Sequence, residues 1–573
     1  MNNIIFDRIA YSLCAVMLLF YFIHLPLPLV PVDDQHFVSS IINFQNHFLI
    51  KSQFGVDIID NVGPIGFINY PFIYSVFSEI NDINLIVNSM LTIILIFCIT
   101  NVIFYFPFYE QRVLIFLSII LFLLTKSTNF GHENTYKIIL FSLLFFLTFE
   151  KNNKKYLSYI LFLGVFCAFL ACSKSTGIYY SLLAMIFLCL NNFINKKHYH
   201  SMIFIIIFSI SFLLLWIISN QPIANIFIFF KNCFYFASSY NDNLVNSINY
   251  YDYVSFFILL SFVIVTLIEI IRSRKESKKD FYLFLSFQLF TIAIFFLSYK
   301  HGIHRSQHSF GILLSIAPFL FTFQYFSRSL FFSNLKHDQR LFLSFKHNTL
   351  PPHFVALTTI IIFTLIQYKY LDTYIKKPKT ITSETSNRLT IIESFLDGSK
   401  QELIEKVNND FITKMTLPTK IKRLIQDKTV DEIGVSPSFL LFNKLNYSPR
   451  PIAIDFVPNT EYLSKLNWNK MFDRKLSPDF LFVDQASFGL NDIASRASLN
   501  LNYTQVFPNE KIIGYRKLYK KNSVFLTPNL QSFKTFFINE NEKFYPPEIL
   551  KDTSMTWIKF KVKKSILRKF IDV

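Results

Sequence analysis

EKNNKKYLSYILFLGVFCAFLACSKSTGIYYSLLAMIFLCLNNFINKKHYH, residues 150–200, decides the fold. Its two apolar runs, 156–172 and 176–192, are each close to the roughly 17 to 20 residues that an α-helix needs to cross a hydrocarbon layer about 30 Å thick. Basic clusters close the stretch at both ends, and the short link between the runs carries only Lys174. In lipid, a backbone must satisfy its own hydrogen bonds, which helices do within the segment. The stretch therefore predicts a transmembrane helical hairpin whose two basic ends share one side of the membrane.

The rest of the chain has the same character. Of its 573 residues 52% are hydrophobic and 18% aromatic, with 71 Phe against 12 Gly, and only 16% are charged. An ordinary soluble protein is less apolar and less aromatic than this. The net charge of +18 is largely accounted for by loop lysines and arginines, so it does not call for a nucleic-acid partner. Six cysteines (Cys14, Cys98, Cys167, Cys172, Cys189 and Cys233) lie in or beside apolar runs without CxxC or Cys/His spacing, which argues against a zinc ribbon or a disulfide framework.

Further runs of spanning length lie at 9–30, 83–107, 200–219, 252–271, 280–298, 308–326 and 352–370, with two shorter ones at 111–125 and 136–149. The expected architecture is an α-helical polytopic membrane protein of about eleven transmembrane helices, or about nine if the two short runs are re-entrant, over residues 1–375, with the first run retained as a helix. The basic loops 150–156, 191–200 and 271–280, and the stretch holding Arg328, Lys336, Arg340 and Lys346, then all fall on the cytoplasmic side with the N-terminus. The opposite side receives 31–82, 126–135, the Lys174 link, 220–251, 299–307 and everything after about 371. Loop 31–82 is acidic, with Asp33, Asp34, Asp57, Asp60, Glu79 and Asp82 against one lysine.

After a polar linker, KKPKTITSETSNR, composition becomes that of a soluble domain. Residues 376–573 read as an extracytoplasmic α/β domain in which IIESFLDGSKQELIEKV is helical and RPIAID, PDFLFVD and KIIGYRKLY are strands. No GxGxxG, P-loop or internal repeat is present.

Several stretches carry chemistry. Asp33 and Asp34, in VDDQHF, either cap a helix that presents Phe37, Ile41, Phe44 and Phe48 on one face, or supply a general base at the membrane surface. NVGPIGFINYP, 61–71, is a tight turn before aromatic residues, or shapes a groove for a lipid chain. His132 and Glu133 occupy a loop-side position where they face solvent or relay a proton. Lys174 snorkels to headgroups or contacts an anion. SYKHGIHRSQHSF, 298–310, crowds Lys300, His301, His304, Arg305 and His308 on the side that the positive-inside rule keeps free of cations. An anionic phosphate ligand accounts for that departure through charge-assisted hydrogen bonds. Headgroup contact is the plainer alternative, and a metal held by the three histidines with Glu133 or Asp34 fits less well, because interleaved cations repel a divalent ion.

VGPIGFINYP, SKSTG, YKHGIHRSQH and NYSPRPIAIDFVPNTEYLSKLN, together with the acidic pair opening the first outer loop, resemble landmarks of bacterial integral membrane glycosyltransferases of the GT-C superfamily. The resemblance covers landmarks and not the whole length. The chain departs from the pattern at Gln307, where an Asp is the norm, and at the HR that replaces VR. The resemblance implies transfer of a sugar from a polyprenyl-phosphate donor to an envelope glycan or lipid acceptor. Asp34, or Asp33, would then be the base, and Lys174, Lys300, His301, His304, Arg305, His308, His132 and Glu133 would line the phosphate and lipid site. The outer domain, with Arg450 in SPRP, would recognise the acceptor or cover the site, or else is purely structural. The implied setting is a bacterial inner membrane with the C-terminal domain periplasmic, no cofactor and no nucleic acid. The rival is a non-catalytic or transport component of envelope polysaccharide assembly that binds polyprenyl phosphate, with Gln307 in its favour.

Overall fold

The computed structural model describes residues 26–28, 36–60, 62–69, 78–106, 111–118, 131–150, 152–244, 250–303, 307–331, 385–387, 393–394, 396–434, 437–453, 460–484, 492–508, 512–513 and 516–527. A short helix, α1 (His36–Leu49), precedes a bundle of long ones: α2 (Ser78–Tyr105), α3 (Gly131–Phe149), α4 (Asn153–Ser173), α5 (Ser175–Ile194), α6 (His198–Ile218), α7 (Ile226–Leu244), α8 (Tyr250–Arg272), α9 (Lys278–Ile303) and α10 (Gln307–Phe331).

Five helices are long and apolar enough to cross a membrane: Asn153–Ser173, Ser175–Ile194, His198–Ile218, Tyr253–Lys275 and Lys278–Lys300. The helices α2 and α3 contribute shorter apolar stretches, Ser89–Tyr105 and Thr135–Phe149. The described residues thus carry a helical membrane protein and do not carry eleven spans. The run at 352–370 lies outside them, as do most of 9–30 and the second half of 111–125. One boundary is corrected. Residues Pro26–Pro28, expected inside the first helix, form an antiparallel strand pair with Thr385–Asn387 (β1 and β2). Two prolines without an N–H and with fixed φ stop a helix but tolerate a two-stranded edge.

The helical hairpin read from 150–200 is present, and its geometry explains itself. The Asn152 side chain caps α4 by accepting from Lys154 N (3.0 Å) and Lys155 N (3.4 Å). At the other end Lys174 leaves the helix in an extended conformation (φ −158°, ψ 148°), and α5 starts at once. Ser181 Oγ donates back across the hairpin to the Cys167 carbonyl at 2.8 Å. The basic ends of three helices meet: Tyr156 OH donates to Asn192, Asn192 Nδ2 donates to Ser201 Oγ at 2.9 Å, and the Lys197 ammonium lies 4.4 Å over the Tyr156 ring.

Phenylalanine builds the interior. Phe141 and Phe145 of α3, Phe287 of α9 and Phe323 of α10 meet edge to face, the Phe141–Phe323 centroids 4.8 Å apart at 90°. Such contacts suit a bilayer, where apolar area alone does not drive helices together and close packing must. The outer surface is apolar as well: α6 buries only the stripe His200, Phe204, Phe212 and Trp216 and exposes Met202, Ile206, Ile210 and Leu214 by about half.

Beyond residue 400 lie α11 (Lys400–Met415), α12 (Thr419–Ile425), α13 (Ser438–Phe442), α14 (Glu461–Met471) and α15 (Ile493–Asn502), around a five-stranded sheet ordered β4-β3-β5-β7-β6. The strands β4 (Asn446–Tyr447), β3 (Thr429–Ile433) and β5 (Phe480–Asp484) run parallel, and β7 (Arg516–Lys521) and β6 (Tyr503–Val506) pair antiparallel. PDFLFVD supplies β5 and KIIGYRKLY leads into β7, as expected. RPIAID does not form a strand over 450–453, where the chain bends around its own arginine. The helix expected over 391–407 is helical at Glu393, Ser394 and Leu396, is interrupted around Gly398 at φ +81°, and resumes at Lys400.

That arginine, expected at a ligand surface, is 1% exposed. Arg450 pairs with Asp431 through Nε (3.0 Å) and with Asp492 through Nη1 (3.0 Å), and Nη2 donates to the Glu432 and Ala453 carbonyls. Arg516 pairs with Glu432 at 2.6 Å under the ring of Phe439. Burial pushes the Asp431 carboxyl up, against the pull of Arg450 and Lys470. Its charged form depends on the arginine, since a buried carboxylate without its partner is costly.

The α1 helix is packed on both sides by protein. Ile42 joins Ile421, Val430, Phe439 and Phe482 in the core beneath the sheet, while Phe44 joins Phe54, Phe67 and Trp216 on the bundle side. Of the four residues expected to present one membrane-surface face, Phe44 and Phe48 instead contact protein, Phe48 lying 4.8 Å from Phe67. The side chains of Phe37 and Ile41 lie outside the described residues.

Replacing Arg450 by Ala leaves Asp431 and Asp492 buried without their cation. The expected cost is about 3–5 kcal/mol, measured as a lower thermal midpoint for protease protection of the segment after residue 400, with the membrane helices unaffected.

Candidate functional site

Among the described residues, loop 51–69, the Lys174 link and residues 221–236 come together at one end of the bundle, here termed the loop end. Their centre is loop 51–69, held by side chains from the link between α6 and α7. Gln221 accepts from Phe54 N (2.8 Å) and donates to the Ser52 carbonyl (2.9 Å), and Asn225 donates to Gln53 Oε1 (2.9 Å). Within α7, Asn232 donates to the Gly55 carbonyl at 2.8 Å and the Cys233 thiol lies 3.1 Å from the Asp60 carbonyl.

The VGPIG turn then meets the SKSTG link. Gly63 N donates to the Ser173 carbonyl at 2.9 Å, and Val62 and Lys174 form an antiparallel bridge. A Cβ on Gly63 would stand 2.0 Å from the Cys172 carbonyl oxygen, and one on Gly66 would stand 2.3 Å from that of Ser173. Both glycines are there because two backbones touch. The chain continues into a 3-10 turn, Gly66–Asn69. The tight turn expected from the sequence is present, and its packing against α4 explains both glycines.

The third landmark, NYSPRP, joins the same cluster. Ile59 N donates to the Pro451 carbonyl at 2.7 Å, and Ile59, Phe236, Ile452 and Leu463 bury one another. Tyr462 OH donates to Asn232 Oδ1 at 2.6 Å. Lys470 donates to Ser448 Oγ (3.1 Å) and the Pro449 carbonyl (2.7 Å), and it faces His47 of α1. Burial, with the positive charge of Lys470, pushes the His47 imidazole down to about 3.

Cations gather here too. Lys174 is half-buried at the break between α4 and α5, and Lys300 is half-buried in the last turn of α9. A third was not singled out in the sequence: Lys137, in the second turn of α3, is fully buried with its ammonium 5.8 Å from the Tyr180 ring of α5. The helices α3, α5 and α9 pack on one another. Each of the three lysines lies within about 9 Å, along its helix, of the loop end, at about 1.5 Å rise per residue. An ionisable residue retained inside a membrane bundle marks a functional position by default. The signal for Lys137 was present in TYKIIL, where a lysine opens an apolar run.

The remaining expected residues are placed only in part. His132 and Glu133 lie in the first turn of α3, His301 in the last turn of α9 and His308 in the first of α10, all at helix ends with undescribed side chains. Asp33, Asp34, His304 and Arg305 lie outside the described residues, and α1 begins two residues after Asp34. Among the described residues no group of three His, Cys, Asp or Glu side chains could hold a metal ion.

Gly63→Ala forces the loop off the Cys172 carbonyl. The expected loss is about 1–3 kcal/mol, seen as a lower unfolding midpoint in detergent and faster tryptic cleavage at the exposed Lys51. Acid acts on the same junction. His47 is neutral when α1 is docked and titrates near 6.5 when it is free, so the undocked state binds more protons as pH falls below 6.5. Docking is then flat above pH 6.5 and weakens by about 1.4 kcal/mol for each unit below it, until the docked histidine itself protonates near 3. Hydrogen exchange in α1 as a function of pH measures this, and His47→Gln removes the dependence.

Comparison with known proteins gave no match: no family model, no curated protein and no solved structure matches the chain.

Proposed function

We propose that the chain is a membrane glycosyltransferase that moves a sugar from a polyprenyl-phosphate donor to an envelope glycan or lipid acceptor at the loop end of the bundle. The observation that carries this reading is the set of three lysines, Lys137, Lys174 and Lys300, at one end of three helices packed together. A lipid phosphate is the anion that reaches such a position from within the bilayer, and ammonium groups in a low dielectric hold it strongly. Arg305 follows Lys300 in the chain and extends the same charge, with His301, His304 and His308 close to it in sequence.

In this reading Asp34, or its neighbour Asp33, takes the proton of the acceptor hydroxyl. The hydroxyl oxygen bonds to the anomeric carbon from the face opposite the phosphate. The bond from that carbon to the phosphate oxygen breaks with its electron pair on the oxygen, where the lysines and Arg305 stabilise the charge. The products are the glycosylated acceptor, of inverted configuration, and polyprenyl phosphate. The positive-inside rule puts the loop end outside, so the setting is a bacterial inner membrane with about eleven spans and a periplasmic domain over 376–573. A second reading has Gln307 in its favour: a chain that holds polyprenyl phosphate as a non-catalytic or transport component of envelope polysaccharide assembly.

Purified protein in nanodiscs, given polyprenyl-phosphate-linked sugars and a crude envelope acceptor, is expected to release polyprenyl phosphate. Asp34→Asn is expected to lower release about 10²–10⁴-fold, or Asp33→Asn if the neighbour is the base. Lys174→Ala and Lys137→Met are expected to weaken donor binding. Donor binding without release would favour the second reading, and binding indifferent to both lysines would remove the site.

A further inference from the structure

The α7 helix, 226–244, fits none of the roles assigned above to the bundle. It is not among the candidate spans, and polar residues fill its C-terminal turns, from Ser238 to Asn243. Its amphipathic pattern has three faces. The first, Phe229, Asn232, Cys233 and Phe236, is buried against loop 51–69 and Trp216, the Trp216–Phe229 centroids 5.1 Å apart. The second meets the sheet-bearing part of the chain: the Lys231 ammonium lies 4.7 Å over the Tyr462 ring, and the Tyr235 ring is 4.5 Å from it. The third is apolar and open.

That open face is a single line of side chains. Ile223, in the 3-10 turn that leads into α7, and Phe227, Phe230 and Phe234 of the helix follow one another at intervals of four, three and four residues, which is one stripe of a helix. Phe227 is 84% exposed, Phe234 61% and Ile223 57%, with Phe230 half-buried between them. Aromatic side chains exposed to this degree in one line do not occur on a water-facing surface without an occupant.

The occupant follows from what adjoins the stripe. Ile217 and Ile218, 50% and 70% exposed, end α6, one of the candidate spans, and only residues 219–222 separate them from Ile223. The apolar line therefore continues the lipid-facing surface of a membrane helix around a corner. The edge of α7 that carries Lys231 and Tyr235 is held by Tyr462, so the polar side faces the sheet and the apolar side faces away from it. A helix with one charged edge and one aromatic edge, at the end of a bundle, has the arrangement of a helix lying in the interface plane.

We infer that α7 is an interfacial helix whose Ile223–Phe227–Phe230–Phe234 stripe is seated in the acyl boundary of the leaflet at the loop end, fixing the height of loop 51–69 and of α14 above the bilayer. The consequence is positional. Loop 51–69 hangs from Asn232 and Cys233 of this helix, and the sheet is tied to it by Tyr462, so both ride at headgroup depth. The inference does not rest on the glycosyl-transfer reading and stands or falls without it.

The test uses the full chain in nanodiscs of phosphatidylethanolamine and phosphatidylglycerol, with p-benzoylphenylalanine replacing Phe227, Phe234 or Tyr235 one at a time. Replacing an exposed aromatic by a larger aromatic spares the core. Irradiation is expected to attach phospholipid at 227 and 234, seen as a lipid mass on the tryptic peptide, and to link 235 to the 461–471 segment. Adducts at 227 and 234 that map to a second polypeptide, either another copy or a partner, would overturn the inference. So would an absence of lipid adducts at both positions while the link from 235 forms normally.

Discussion

The approach of Gly63 to the Ser173 carbonyl is the contact on which the rest of the loop end depends. The hairpin of α4 and α5 turns through one extended residue, Lys174, which leaves backbone groups at the end of α4 without helical partners. Loop 51–69 supplies one at 2.9 Å, and it can do so only because neither Gly63 nor Gly66 has a side chain to hold the strands apart. The same loop carries Ile59, whose N–H engages Pro451. The membrane hairpin, the first loop and the sheet-bearing segment are therefore joined in series through one short stretch of backbone.

Series coupling is useful only if each member is stiff, and the chain stiffens its members with buried charge. Arg450 is satisfied on every side by Asp431, Asp492, Ser495 and two carbonyls, which fixes the turn that presents the Pro451 carbonyl to Ile59. Ion pairs of this kind contribute little net stability relative to apolar packing but tolerate few alternative geometries. The α1 helix is wedged between this stiff turn and the bundle, and His47 stays neutral there because burial, and then the nearby positive charge of Lys470, oppose its protonation.

The helical membrane character and the hairpin at 150–200 were legible in the sequence, because both follow from local apolar length. Two of the four motif landmarks also prove to touch, VGPIG and SKSTG, while the NYSPRP segment meets the same loop through Ile59. What could not be read was the direction in which polar side chains point. Arg450 stood in a motif that invited a ligand, but its partners Asp431 and Asp492 are separated from it by many residues and meet it only through the sheet. The phenylalanines of α1 spelled an interfacial face, whereas a second protein layer covers it. Pro26 and Pro28 should have ended the first helix earlier than hydropathy alone allowed. Lys137 was passed over because a lysine at the edge of an apolar run looks like a boundary, and only the packing of α3 against α5 shows it to be inside.

Lys137 also bears on where chemistry can occur in this fold. The middle of the bundle is closed by phenylalanines meeting edge to face, with Gln288 reaching Ser327. Burying an ammonium in such surroundings is expensive, and the cost is bearable near a helix end where other charges and water are close. A lysine kept at that depth, below Lys174 and beside a tyrosine, draws negative charge to the level where lipid headgroups lie. The proposed donor carries its phosphate at that level by construction, since its hydrocarbon tail stays in the bilayer. On the proposed reading the loop end needs no channel through the bundle: a lipid-borne phosphate would reach the lysines laterally, and the acceptor would meet it beside the loop that Gly63 holds in place.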